Sequence, residues 1–156
     1  MTKKLVLLSC LIFLSFTAAF AAVKPSTIQD GWIAGFGTTG SALTVAGGYE
    51  RAIDNRSSVV LETGYGIGNN FMFAAINSSL RYKLKTDPGK WEPFIGIGIN
   101  YSDYSKKVTE VPGINNIEKG GAAGIDILVS ITRDKIGLDL GYDSRSGLLA
   151  GWRIKL

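Results

Sequence analysis

The chain has 156 residues, with 17 Lys and Arg, 13 Asp and Glu, one Cys and no His. Its length suits one domain and is too short for two, and a net charge of +4 does not indicate a nucleic-acid partner. The absence of histidine argues against hydrolases and acyl transferases that use a histidine base, because no other side chain titrates unperturbed near neutral pH.

Residues 1–21 have the three parts of a secretory signal peptide. Two lysines are followed by the apolar run LVLLSCLIFLSF and by the small residues TAAFA, in which Ala19 and Ala21 form an A-x-A site. The apolar run is shorter than the ~20 residues that a membrane-spanning helix needs, so we predict cleavage after Ala21. A lipoprotein anchored at Cys10 is the weaker alternative. Cleavage would remove the cysteine and lower the net charge from +4 to +2.

A periplasmic N-terminal segment, residues 22–31, is expected to precede eight segments in which apolar and polar residues alternate with period two. Turn-type sequences such as TTGS, NN and SRS separate them, and no stretch has the 3.6-residue period of an amphipathic helix. This pattern predicts an all-β fold, an eight-stranded antiparallel up-and-down barrel over residues 32–156. The segments are Trp32–Thr38, Ala42–Ala52, Ser58–Gly68, Phe71–Leu84, Trp91–Ser102, Ala122–Thr132, Lys135–Asp143 and Leu148–Leu156.

The lengths of the turns agree with the alternation. The third segment has its apolar residues at odd positions and the fourth at even positions, so the turn between them must have an even length, which Asn69–Asn70 supplies. The sixth and seventh segments also require an even turn, which we assign to Arg133–Asp134. The seventh and eighth segments both have apolar residues at even positions, and Ser144–Ser146 supplies the odd turn that they need.

The fifth segment, WEPFIGIGINY, indicates which face of the barrel meets lipid. Ile95, Ile97 and Ile99 lie on one face, and Gly96 and Gly98 lie on the other. A water-facing surface would carry charged residues rather than glycine, whereas the narrow interior of an eight-stranded barrel accepts small side chains and a few charges. Most segments are near the ~9–11 residues of a tilted strand that crosses a bilayer. We therefore predict a transmembrane barrel, with a soluble exported barrel carrier as a less favoured alternative.

Charged residues on the glycine-rich face are the main candidate site. An unpaired charge in a narrow lumen is costly, so we expect these residues to form ion pairs. Glu92 should meet Lys83 or Arg81. Arg153 should meet Asp139 on a diagonal. We interpret this network as a structural plug rather than a gated polar path, and its members are Glu50, Glu62, Arg81, Lys83, Glu92, Asp126, Asp139, Arg153 and Lys155.

No catalytic, cofactor-binding or metal-binding residue is predicted. The sequence GFGTTG, residues 35–40, matches a dinucleotide fingerprint, but a strand pattern follows it where a nucleotide site needs a helix. A metal site without His or Cys would need clustered carboxylates, and the acidic residues of the predicted loops are scattered. We therefore expect a non-enzymatic protein without a cofactor.

The signal sequence, the eight alternating segments, PFIGIGINYS before a long loop, GGAAGIDILVSITRDKIGLDLGYD and the final LLAGWRIKL resemble the small outer-membrane barrels of Gram-negative bacteria, the OmpA/OmpX type. The resemblance covers the mature chain. It implies a monomer in outer-membrane lipid and lipopolysaccharide, inserted by the barrel-insertion machinery through its last strand. That strand ends in Leu156, where the family typically has phenylalanine.

The leading functional hypothesis is an outer-membrane barrel with a role in envelope integrity or surface interaction. The turns after segments two, four and six are assigned to the periplasm, which leaves the long loop Asp103–Gly121 outside the cell as the contact element for an unknown partner. The alternative is a conduit for small apolar solutes through the lumen.

The long loop itself is predicted to form a hairpin. A turn at Pro112–Gly113 would pair Val111 with Ile114. The same register would pair Val108 with Ile117 and Lys107 with Glu118. It conflicts with the barrel wall, where odd residues of the fifth segment must pair with odd residues of the sixth. We therefore predict a β-bulge or an odd-length tip between residues 102 and 122.

Overall fold

The computed structural model describes residues 28–85, 91–111 and 114–156. Each strand pairs antiparallel with its neighbours in sequence, and β1 pairs with β8 to close a barrel. The all-β up-and-down barrel is therefore confirmed, whereas the signal peptide predicted for residues 1–21 lies outside the described residues. The strands are β1 (Gly31–Thr39), β2 (Ala42–Ala52), β3 (Ser57–Ile67), β4 (Phe71–Lys83), β5 (Glu92–Val111), β6 (Ile114–Arg133), β7 (Ile136–Asp143) and β8 (Gly147–Lys155).

Three short turns test the predicted registers. The Gly68 N–H donates to the Phe71 carbonyl at 2.8 Å, which leaves Asn69 and Asn70 in the turn as predicted. Asp143 pairs with Gly147, so Ser144–Ser146 is the three-residue turn between β7 and β8.

The turn between β6 and β7 lies one residue later than predicted. Arg133 pairs with Ile136, so the turn is Asp134–Lys135 rather than Arg133–Asp134. Asp134 has a φ of 55°, in the left-handed region that aspartate tolerates better than most side chains. The assignment of faces is unaffected, because both ends of the turn move by one residue and its length stays even.

Apolar side chains cover the outside of the barrel, and smaller or charged ones fill the inside. Ile97 and Ile127, which pair across β5 and β6, are 56% and 59% exposed. Phe94 and Leu128, which point to the other face of the same strands, are buried. The isoleucine face of WEPFIGIGINY is therefore the outer face. No helix among the described residues is long and apolar enough to cross a membrane.

Strands β5 and β6 extend well beyond their predicted ends. Each has 20 residues, so the stretch predicted as a loop, residues 103–121, consists largely of paired strand. A strand rises ~3.3 Å per residue, and ~9–11 residues suffice to cross a bilayer. The two strands therefore form a hairpin that projects past the rest of the barrel wall.

The register of this hairpin changes near its tip. Pairing continues without interruption from Glu92 with Thr132 to Val108 with Asn116, then shifts by one residue so that Val111 pairs with Ile114. The predicted irregularity and the Val111–Ile114 pair are both confirmed. The Pro112–Gly113 turn lies outside the described residues.

Two of the predicted hairpin pairs are wrong. Val108 pairs with Asn116 rather than Ile117, and Glu118 pairs with Lys106 rather than Lys107. The reason is that the register of the wall persists as far as Val108, so only residues beyond it follow the register of the tip.

Candidate functional site

The barrel has two distinct ends. One end, here called the hairpin end, carries the β5–β6 hairpin and the turns β1–β2, β3–β4 and β7–β8. The other, the terminal end, carries the start of β1, the end of β8 and the turns β2–β3, β4–β5 and β6–β7. Inward-facing side chains from all eight strands line the lumen between them.

Two buried arginines lie at the centre of the lumen. Arg153 Nη2 is 2.7 Å from Asp139 Oδ2 and 3.6 Å from Glu62 Oε1. Arg81 Nη1 is 3.4 Å from Glu50 Oε1, and Arg81 Nη2 is 3.8 Å from Asp139 Oδ1. Two arginines therefore share three carboxylates, which keeps the charges compensated away from water. With Lys155, these residues are called the central cluster: Glu50, Glu62, Arg81, Asp139, Arg153 and Lys155.

Further contacts hold the central cluster in place. The Ser58 hydroxyl donates to Glu50 Oε1 at 2.8 Å, and Lys155 Nζ lies 3.0 Å from Glu50 Oε2. The guanidinium of Arg81 lies 4.8 Å from the centre of the Phe94 ring, within the range of a cation–π interaction. Glu50 thus has three polar partners, and the charged group of one arginine lies over an aromatic ring.

The sequence-predicted residues are brought together in part. Arg153 meets Asp139, and Glu92 meets Lys83 rather than Arg81, with Lys83 Nζ 2.5 Å from Glu92 Oε1. The pair between Arg81 and Glu50 was not foreseen, because β4 and β2 are not neighbours and their side chains meet only across the lumen.

Asp126 is not part of this network in the described part of the chain. Asn77 Nδ2 donates to its Oδ2 at 3.4 Å, whereas its Oδ1 is buried without a hydrogen-bond partner among the described residues. The residue directly opposite it on β7 is a second acid, Asp143. The expectation that every inward charge joins the ion-pair network therefore does not describe Asp126.

A cavity of about 550 Å³ occupies the hairpin end of the lumen. Phe71, Phe73 and Leu149 contribute apolar surface to it, and Asp126 and Asn77 contribute buried polar atoms. The two phenylalanine rings stack with centroids 6.4 Å apart. This space is called the upper cavity, and only the inward alternation of these residues pointed to it in the sequence.

Residues of the β7–β8 turn border the upper cavity. Asp143 Oδ1 accepts the backbone N–H groups of Arg145 and Ser146 at 2.8 and 2.7 Å, and Asp143 Oδ2 accepts a hydrogen bond from Asn100 Nδ2. Arg145 Nη1 donates to Ser102 Oγ at 2.8 Å and also to the Ala122 carbonyl. The carboxylate of Asp143 is thus occupied, and Arg145 is held against β5 and β6.

A second cavity, of about 480 Å³, lies at the terminal end. Its lining includes Ile28 and Gln29, which precede β1, together with members of the central cluster. Ile28 is buried beside Ala52 and Phe94, and Lys155 Nζ donates to the Gln29 carbonyl. Among the described residues, the two cavities share no lining side chain, because the central cluster lies between them.

The described residues contain no group of three or more His, Cys, Asp or Glu side chains that could hold a metal ion. Outside the barrel wall, Asp54 in the β2–β3 turn accepts the N–H groups of Arg56 and Ser57 at 2.7 and 2.8 Å. These hydrogen bonds, that of Arg56 foremost, lower the pKa of the Asp54 carboxyl below its usual value. They stabilise the turn rather than form a reactive group.

Three solved structures are similar to this chain. The N-terminal β-barrel domain of Pseudomonas aeruginosa OprF matches over 80% of this chain and 93% of that chain, with 9% identity and a TM-score of 0.64. Neisserial surface protein A matches over 81% and 94%, with 16% identity and a TM-score of 0.46. Ail of Yersinia pestis, solved in complex with the heparin analogue sucrose octasulfate, matches over 80% and 91%, with 7% identity and a TM-score of 0.42.

No family model and no curated protein sequence matches the chain. Its structural neighbours are small eight-stranded outer-membrane barrels, and the match to the OprF barrel domain shows that the chain has their fold.

Proposed function

We propose that this protein is a non-enzymatic outer-membrane barrel that serves envelope integrity or surface interaction, with a lumen closed to solutes. The observation that carries the proposal is the apolar outer surface of a closed barrel. Large apolar side chains on all eight strands are exposed, for example Phe36 at 56%, Val45 at 60% and Leu140 at 53%. So large an apolar surface would be unfavourable in water and is suited to lipid.

The central cluster supports a plug rather than a conduit. Arg81 and Arg153 are 1% and 7% exposed, and their carboxylate partners come from β2, β3 and β7. Opening a path would separate buried charges from their partners, which is costly in a narrow lumen. Passage of apolar solutes along the lumen axis is therefore disfavoured by the same residues that fill it.

The β5–β6 hairpin is the contact element in this proposal. Bacterial outer-membrane barrels carry their longest extensions on the outer side, and the β5–β6 hairpin, with 20 residues in each strand, is the longest extension in the described part of the chain, so the hairpin end would be the outer end. In the described part of the chain, β5 has no ladder pairing with β4 beyond Lys106, and β6 has none with β7 before Asp126, so toward its tip the hairpin has unpaired strand edges that can meet a partner at the cell surface. Ile117 near this tip is 60% exposed.

Insertion would proceed through β8, as in barrels of this type. Its outward residues alternate as Leu148, Ala150, Trp152 and Ile154, and the exposed apolar Leu156 continues the alternation. This alternation of apolar residues suits recognition of β8 by the barrel-insertion machinery.

Cell fractionation of the full-length protein tests the proposal. We expect the protein in the outer-membrane fraction, with an electrophoretic mobility that changes on boiling, as for a stable barrel. In planar bilayers the purified protein should show no steady conductance. Recovery in the periplasm, or reproducible single-channel currents, would contradict the membrane location or the closed lumen respectively.

A further inference from the structure

We propose that the upper cavity is a binding site for a small organic monocation, an ammonium group attached to one apolar group. The ammonium would bind Asp126 and Asn77 at the floor of the cavity. The apolar group would lie between Phe71, Phe73 and Leu149. This inference goes beyond the proposed structural role and does not require a solute to cross the barrel.

The floor of the cavity carries two buried oxygen atoms that have no hydrogen-bond donor among the described residues. Asp126 is 3% exposed, and its Oδ1 and the Oδ1 of Asn77 are buried and accept no hydrogen bond from any described residue. A buried carboxylate that is neither paired nor fully hydrogen-bonded is costly, so it calls for an explanation, and a bound cation would provide one. An ammonium group supplies both the charge and the donors that these two oxygens lack.

Asp126 is held in this position by the strand beside it. It pairs with Gly98 of β5, and a Cβ at Gly98 would lie 2.4 Å from Asp126 Oδ1. The glycine therefore leaves the space that the carboxylate occupies. Asp143, opposite Asp126 on β7, adds a second negative charge nearby, although its own oxygens accept hydrogen bonds from Asn100, Arg145 and Ser146.

The apolar side chains in the walls of the cavity favour a ligand whose ammonium carries an apolar group. Phe71 and Phe73 form a stacked aromatic surface on β4, and Leu149 of β8 contributes apolar surface to the same space. The volume of about 550 Å³ lies within the usual range of small-molecule sites, roughly 300–1,000 Å³. A ligand with an aromatic ring or a short alkyl chain would bury its apolar surface here.

Other ligand classes fit less well. A calcium ion needs six to eight oxygen ligands, and Asp126 and Asn77 offer two unoccupied ones in the described part of the chain. An anion would meet the charges of Asp126 and Asp143. A polyamine would bring a second positive charge, and the other two carboxylates that line the cavity already have partners, Glu62 in Arg153 and Asp143 in Asn100, Arg145 and Ser146.

Titration of the processed protein, in detergent micelles, with 2-phenylethylammonium tests the inference. The readouts are the NMR shifts of the Gly98 backbone amide and the Asn77 side-chain amide, which report on the floor rather than on the detergent. We expect saturable binding, and at least tenfold weaker binding of the neutral isostere 2-phenylethanol, since one charge-assisted hydrogen bond is worth about that factor.

Three variants complete the test. Asp126→Asn should weaken binding of the cation at least tenfold, whereas Glu92→Gln, which removes a lumen carboxylate at the other end, should leave it within twofold. Ala75→Phe keeps both acceptors but fills the cavity and should abolish binding. Absence of saturable binding, equal affinity for the alcohol, or unchanged affinity in Ala75→Phe would each overturn the inference. None of these three outcomes depends on the folding of Asp126→Asn.

Discussion

Arg153 and Asp139 form a close ion pair inside the barrel, with Arg153 Nη2 2.7 Å from Asp139 Oδ2. The two residues are diagonal neighbours on β8 and β7, since Asp139 pairs with Gly151 and Arg153 pairs with Gly137. Both glycines lack side chains on the inward face, which leaves the diagonal open for the long arginine. The same arginine also reaches Glu62 on β3, so it links strands on different sides of the lumen.

Arg153→Ala should destabilise the protein strongly. It would leave Asp139 and Glu62 buried with one cation fewer, and breaking a buried pair from one side typically costs about 3–5 kcal/mol. Equilibrium unfolding in urea with lipid vesicles measures the loss. Arg133→Ala is the matched control, because Arg133 is exposed and its removal should cost at most about 0.5 kcal/mol. Similar small effects of both variants would mean that Arg153 does not lie in the lumen.

The pair between Lys83 and Glu92 should contribute much less despite its short distance of 2.5 Å. The Glu92 side chain is 42% exposed, so solvent screens the interaction. A double-mutant cycle with Lys83→Ala and Glu92→Ala should give a coupling energy below about 1 kcal/mol that decreases in high salt. A coupling as large as that between Arg153 and Asp139 would show that this end of the lumen is dry.

Gly37→Ala should weaken the pairing between β1 and β8, which closes the barrel. A Cβ at Gly37 would lie 2.2 Å from the Ala150 carbonyl oxygen and 2.5 Å from the Gly151 Cα, both backbone atoms of β8. The strands would have to separate, at a cost of about 1–3 kcal/mol. Urea unfolding and the fraction that folds in vesicles would show the loss.

Gly47→Ala, a glycine substitution in β2, is the control for Gly37→Ala. The nearest atom to its added Cβ is the Ile33 carbonyl oxygen at 3.8 Å, an ordinary contact. The substitution should be neutral or stabilise the protein by up to about 1 kcal/mol through the unfolded chain. Equal destabilisation by both alanines would indicate that glycine acts through strand propensity rather than through the β1–β8 contact.

The Asp54 carboxyl should titrate below its usual pKa. The N–H groups of Arg56 and Ser57 stabilise its charged form, so the folded pKa is lower than the unfolded one. The stabilisation of the turn is then complete above the unfolded pKa of about 3.9 and is lost as the pH falls through the lower folded pKa. NMR titration of the Asp54 side chain measures this directly. Titration at or above the usual value would mean that the two hydrogen bonds are absent.

The Asp54→Asn variant separates this turn from the rest of the acid response. Asparagine can still accept the two N–H groups through a neutral oxygen, so the turn should form. The part of the acid-induced loss of stability that belongs to Asp54 should disappear, while the lumen carboxylates continue to respond. An unaltered pH profile between this variant and the parent would show that Asp54 has no influence on stability.

The sequence by itself determined the strands, their faces and most of their turns. Successive side chains of a strand alternate between two faces, so the isoleucines and glycines of WEPFIGIGINY had to separate onto opposite sides. The even turn at Asn69–Asn70 and the odd turn at Ser144–Ser146 follow from the same alternation. Even the register conflict in the β5–β6 hairpin was visible, because it is a matter of counting residues along the chain.

Only the tertiary structure decided where the ends of the long strands lie and which inward residues meet. β5 continues to Val111 and β6 begins at Ile114. Two strands that pair with each other can extend past the barrel wall even where the amino-acid composition is typical of a loop. Arg81 meets Glu50 through the lumen because closure of the barrel brings β4 and β2 face to face. Among the described residues no cation pairs with Asp126, for the same reason: the stagger of a closed barrel sets the level of each inward residue, and the alternation along one strand does not specify that level.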